Sequence, residues 1–326
     1  MGSSAPRRVL SLGQLRAKID ALIESRQVPN VGDPEATSEL LREAFVREIW
    51  PAVQGDYQKM MDGLKELLEK GLMNEGIHAG LFARVKKAES IKKSIQRRDD
   101  HLFKEKGRRF ESFDEVLRHI HDLVGLRIVL LFRDQLTKAK EFIERTFVQQ
   151  GEPTYFSPNR EVGQQWKKFE FGAYETYNYR LSHPAGQYRD VTFEVQLTQL
   201  GGHLFNMLGH SFLYKRAYGP LTKDDEMKLD NLHGAAKSLA LSIQQLLDGR
   251  LGPSSPMQGI QQDGALTRDL VSRIIQETET TLSSALKGGK DNRMPVETEN
   301  QGDAVEQLSK KIEYVALQPA VTCPHC

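Results

Sequence analysis

HDLVGLRIVLLF at 121–132 and VTFEVQLT at 191–198 are the two stretches whose reading decides the fold. In the second, Val191, Phe193, Val195 and Leu197 alternate with Thr192, Glu194, Gln196 and Thr198. That is the period of a strand with one apolar face and one row of polar groups. In the first, Asp122 stands just before an apolar run broken by the charge of Arg127, and Gly125 lets something approach the backbone closely. Two carboxylates on neighbouring strands with an arginine between them would suit Mg2+ and a nucleotide phosphate. The polar row is therefore the candidate reaction surface.

Working outward, Leu10, Leu12, Leu15, Ile19, Leu22 and Ile23 have helical spacing, and 27–33 reads as a loop. Asp33 before Pro34 is an N-cap and first-turn pair for a helix through Trp50, with Leu40, Leu41, Phe45 and Ile49 on one stripe. Pro51 is expected to kink or end it, and a further helix from about Tyr57 to Lys70 is expected to close at Gly71. Ser112 and Glu115 fit a capping box for a helix that delivers the chain to Asp122. A helix with Ala139, Phe142, Ile143 and Phe147 follows the first strand. The polar stretch 151–172 suggests loop around an edge strand. Segments 174–182 and 189–198 make a hairpin over Pro184, Ala185 and Gly186, and helices dominate 203–247.

Three regions result: an N-terminal, partly helical extension at 1–33; a main domain with leading helices at 34–250; and a linker plus helical or disordered tail at 251–326. The last begins where composition shifts near Gly249, and it carries apolar patterns at 266–286 and 305–317. The fold class expected is α+β, a mixed sheet flanked by helices with helical extensions at both ends.

Composition narrows the partners. With 45 Lys and Arg against 44 Asp and Glu, global charge asks for no polyanion, although the stretch from Arg84 to Arg109 is locally basic. No run of eighteen apolar residues occurs, so a soluble chain without a membrane partner is expected. The two cysteines, Cys323 and Cys326, exclude a disulfide framework and favour the cytoplasm. Their spacing copies a redox dithiol or half a zinc site, with an inert tail as the default. The first residues lack a myristoylation serine or threonine at position 6 and a secretory apolar region. His119 and His121 beside Asp122 do not make a metal-hydrolase pattern.

Five short motifs in order resemble one family. RVKKAES at 84–90 is similar to the Arg-x-Lys-x-x-x-Ser motif of the RelA/SpoT synthetases, which make (p)ppGpp. DLVGLR at 122–127 resembles their Asp-x-x-Gly-x-Arg strand, and YETYNY at 174–179 their tyrosine motif. EVQL at 194–197 resembles their Glu-Ile-Gln-Ile strand, and HSFLYK at 210–215 their His-x-x-x-Tyr-Lys helix. The ordered set covers roughly residues 56–250.

The resemblance implies a nucleotidyltransferase-like fold without the hydrolase domain. It also implies a pyrophosphokinase in which the 3′-hydroxyl of GDP or GTP attacks the β-phosphorus of ATP and AMP leaves. By that likeness Asp122 holds Mg2+, and Glu194 completes coordination or accepts the hydroxyl proton. Arg84 and Arg127 sandwich the adenine, and Lys86 and Ser90 bind ATP phosphates. Tyr174 stacks on the acceptor base, and Asn178, Gln196, His210 and Lys215 shape the acceptor side. Self-association through the tail is compatible with family habit.

The acceptor side departs from the pattern. A lysine common four residues after the motif serine is Ser94. The arginine and histidine of the tyrosine motif are Glu175 and Asn178, and Thr198 stands where an arginine usually follows the strand. Loss of positive charge there keeps two alternatives open: transfer to the 3′ end of tRNA, with the basic stretch touching RNA, and a nucleotide-binding regulatory module without turnover.

Overall fold

The structure is a computed structural model that describes residues 13–26, 31–156, 176–203, 205–206 and 222–251. The tail beyond 251, with both cysteines and its two apolar patterns, lies outside the described residues. No helix among the described residues is long and apolar enough to cross a membrane.

The leading helices are α1 (Gln14–Glu24), α2 (Pro34–Ala44) and α3 (Trp50–Asn74). Asp33 caps α2 as its chemistry demands, its carboxylate accepting from the Ala36 N–H at 3.0 Å. Pro51 does not break the run. A π-helical turn at Phe45–Ile49 takes up the change of path. Pro51 follows that turn directly, so the missing donor falls where the ladder has already shifted to the wider π pattern, with the Trp50 N–H on the Phe45 carbonyl.

Gly71 does not close α3 either; the helix runs on to Asn74, and Gly76 carries the positive φ beyond its end. What Gly71 provides is room. A Cβ there would fall 2.2 Å from the Phe142 ring of α6 (Leu136–Thr146). Gly71→Ala is thus expected to lower stability, because about 1–3 kcal/mol of overpacking outweighs about 1 kcal/mol of helix propensity. Gly63→Ala, with nothing within 4 Å of the new Cβ, is expected to raise it. Urea midpoints of the two variants on either side of wild type are the check.

The remaining elements build the sheet. They are β1 (Ala79–Val85), α4 (Ala88–Lys106), α5 (Phe113–His119), β2 (Val124–Leu130), β3 (Val148–Gln149), β4 (Thr154–Phe156), β5 (Thr176–Ser182), β6 (Thr192–Gln199) and α7 (Lys223–Leu251). The strand order is β1-β2-β6-β5-β3, with β4 also on β5. Among the described strands only β2 and β6 are parallel; the other pairs are antiparallel. The mixed, helix-flanked α+β sheet is as expected. Strand β1 was not foreseen, because AGLFARV lacks the alternation that marks a strand.

Ser112 caps α5, accepting from the Glu115 N–H at 3.1 Å, and the Glu115 carboxylate accepts from the Glu111 N–H, one residue further back than a standard box. One face of the sheet is apolar. Leu126, Ile128, Leu130, Phe193, Val195, Leu197, Tyr179 and Leu181 join Trp50, Tyr57, Met60, Leu64 and Leu68 of α3 and Phe142 and Ile143 of α6 in a single core. Burying that face fixes the register, since a slip by one residue would send every side chain to the other side.

Candidate active site

The register aligns the polar side chains on the opposite face in two rows. Arg84 of β1, Gly125 of β2, Glu194 of β6 and Arg180 of β5 form one; Phe82, Arg127, Gln196 and Asn178 form the next. Gly125 is the only gap, and the Arg84 side chain lies across it: a Cβ there would sit 3.8 Å from Arg84 Nε. Arg84 and Arg127 are diagonal cross-strand neighbours, a relation that sets side chains about 7–8 Å apart. That is about twice the 3.5–4.0 Å contact distance of stacked carbon atoms.

Asp122 sits at the mouth of these rows, where the chain enters β2. The pairing of β1 and β2 continues one step further through the Lys86 N–H to the Leu123 carbonyl at 2.9 Å, which carries Lys86 to the acid. Lys86 Nζ meets Asp122 Oδ2 at 2.6 Å and donates to Ser94 Oγ at 3.0 Å. Arg98 meets Asp122 Oδ1 at 3.1 Å and also donates to Ser94 Oγ. Burial pushes the Asp122 carboxyl up, but Lys86 and Arg98 outweigh it and hold the group below its ordinary value. Burial lowers the Lys86 ammonium, an effect that Asp122 offsets only in part. Arg98, one helical turn beyond the small buried Ser94, reaches across it to the same carboxylate.

Arg127 is locked. Its Nε and one terminal nitrogen both donate to Gln196 Oε1, at 3.0 and 2.7 Å. Gln196 Nε2 in turn donates to the Glu194 carboxylate. The other terminal nitrogen of Arg127 faces His203 Nδ1 at 3.4 Å, and the His203 ring stacks on Phe82 at 5.2 Å. Arginine only donates, so Nδ1 accepts and Nε2 carries the hydrogen, without a partner among the described residues.

His203 is 3% exposed, and burial, seconded by Arg127, brings its pKa from 6.5 down to about 3. Below 6.5 the unfolded imidazole takes up a proton that the folded one refuses until about 3, so stability falls as pH falls through that window. His203→Gln should therefore lose less stability than wild type between pH 7 and about 4.5. Equal losses in urea titrations at the two pH values would contradict the assignment.

Of the residues expected to form the site, Arg84, Lys86, Asp122, Arg127, Asn178, Glu194 and Gln196 lie on one face or at its mouth. Ser90 is exposed in the first turn of α4, next to Lys87 at its N-cap. Tyr174, His210 and Lys215, with Glu175, lie outside the described residues. Three residues were missed: Arg98, Arg180 and His203. Arg98 could have been found from its spacing of four from Ser94 and eight from Ser90, one helix face; the other two need the strand register and the tertiary fold.

Among the described residues no group of three or more His, Cys, Asp or Glu side chains is gathered. A magnesium ion asks less than that of a protein, one or two carboxylates alongside substrate phosphates. Asp122 and Glu194 fit that demand in kind, with Lys86 and Arg98 holding the oxygens of Asp122.

Residues 83–218 match a family model described as a region found in RelA / SpoT proteins. No curated protein matches the chain. Among solved structures it is similar to small alarmone synthetase 1 from Bacillus subtilis, at 20% identity over 63% of this chain and 98% of that one, with a TM-score of 0.45. The same synthetase bound to its product pppGpp gives 18%, 63%, 100% and 0.46. A GTP pyrophosphokinase family protein from Streptococcus pneumoniae gives 16%, 67%, 98% and 0.45.

Proposed function

We propose that this chain, whose residues 83–218 match the region found in RelA / SpoT proteins, transfers the β,γ-pyrophosphate of ATP to the 3′-hydroxyl of GDP or GTP. The observation that carries the reading is the single polar face on which Arg84, Arg127 and Glu194 stand together, with the cation-bound Asp122 at its mouth. Transfer of this kind needs positioning and charge neutralisation more than covalent chemistry from the protein.

Arg84 and Arg127 take the adenine between their planes, Arg127 held flat by Gln196 and His203. Lys86 and Arg98 turn from Asp122 to the triphosphate, with Ser90 at its edge, and so free the carboxylate oxygens. Asp122 and Glu194 would hold a magnesium ion, which when bound would supply neutralisation of charge on the transferring phosphates. The acceptor oxygen bonds to the β-phosphorus, the bond from that phosphorus to the α,β-bridging oxygen breaks, and AMP leaves with the oxygen. Glu194 takes the hydroxyl proton. Asn178 and Gln196, paired across β5 and β6, border the acceptor side, with Tyr174, His210 and Lys215 as its remaining members.

Purified protein given Mg2+ and ATP labelled at the γ-phosphate, with GDP, GTP, AMP or tRNA offered in turn, tests this directly. Label on a guanine nucleotide supports the proposal; label on tRNA alone, or on nothing, overturns it.

A further inference from the structure

Arg180 is the cation of the polar face that no motif announces. It stands on β5 directly across from Glu194, at the end of the row opposite Arg84. Its side chain is exposed, and it has no ion pair or side-chain hydrogen bond among the described residues. A charged pair facing across antiparallel strands stands about 5 Å apart at Cβ and ordinarily closes. Here the Glu194 carboxylate accepts from Gln196 instead, and Arg180 stays uncommitted.

The other arginines of this region have work: Arg98 holds Asp122, and Arg127 holds Gln196. Only Arg84 and Arg180, at the two ends of the row, are left open on this face among the described residues, with Glu194 between them.

We infer that Arg180 binds the phosphate of the acceptor nucleotide and so supplies the positive charge that Glu175, Asn178 and Thr198 do not. The inference rests on the proposed transfer reaction and deepens it by assigning the acceptor's anionic end to a residue. With the donor's adenine at the Arg84 end, the acceptor's reacting hydroxyl lies at Glu194 and its phosphate falls at the β5 end. A guanidinium is the group suited to that task, because its planar fork meets two phosphate oxygens at once.

The test is calorimetric titration of the full chain with GDP and with guanosine, which differ only in the phosphates. In Arg180→Ala, GDP affinity should fall about tenfold or more, guanosine affinity should stay as in wild type, and Arg180→Lys should recover part of the loss. Unchanged GDP affinity, or an equal loss for guanosine, would overturn the inference; circular dichroism melts verify that the variants are folded. Because these titrations need no turnover, they speak to Arg180 alone, while transfer of label by the wild type speaks to the reaction.

Discussion

Asp122→Asn is expected to lower kcat by about two to three orders of magnitude, the scale of losing one electrostatic contact to the transition state, here because the carboxylate that would hold the cation is gone. The side chain keeps its shape and loses the charge that Lys86 and Arg98 face at 2.6 and 3.1 Å. Two effects must be kept apart. Leaving those two cations without a counter-charge in a half-buried place costs stability, on the order of 1–2 kcal/mol once partial exposure is allowed for. That loss should be present at neutral pH and vanish in acid, because a carboxyl held below its ordinary value stabilises above that value and ceases to as pH falls through the lowered one. Thermal melts at the assay temperature therefore establish that the variant is folded. The catalytic loss should persist in the folded protein and respond to Mg2+ concentration. A folded Asp122→Asn with wild-type kcat would remove Asp122 from the centre.

Glu194→Gln is expected to lower kcat by about 10²–10⁴, the contribution of a positioned proton acceptor. Its effect should differ in kind from that at Asp122. Glu194 stands in the middle of the row, and its neighbour Gln196 is the clamp of Arg127. An amide at 194 can still meet the Gln196 amide with its own carbonyl oxygen, so Arg127 should remain seated and the ATP KM should change little. Steady-state kinetics separate the cases: a fall in kcat with constant ATP KM fits proton acceptance at Glu194. A rise in ATP KM with constant kcat would make Glu194 a support for the adenine platform instead.

The two carboxylates and the arginine between their strands were legible in the sequence because a half-buried strand writes its faces as alternation. Val191 to Thr198 states which side chains face the core before any partner is known. What alternation does not carry is the partner. That Glu194 faces Gly125, or that Arg127 meets Gln196, follows only from pairing strands 69 residues apart, and that Glu194 faces Arg180 follows from the register between β5 and β6. Strand β1 escaped because Ala79, Gly80 and Ala83 blur its pattern on a sheet edge.

Pro51 and Gly71 misled for a shared reason: local propensity names the residue, whereas its place in the helix decides its effect. Proline directly after a π-helical turn is accommodated, and glycine beneath Phe142 is a spacer. His203 has no sequence signal at all, since its role comes from Phe82 below it and Arg127 beside it.

The central claim is that the polar face joins ATP's β-phosphorus to a 3′-hydroxyl. Phosphorus NMR of the products formed from ATP and GDP reads this directly, because the position of attack determines what leaves. The account predicts AMP and a guanosine bearing diphosphates at both its 5′ and 3′ positions, in equal amounts. ADP with inorganic phosphate, or ADP with a 3′-monophosphorylated acceptor, would contradict it.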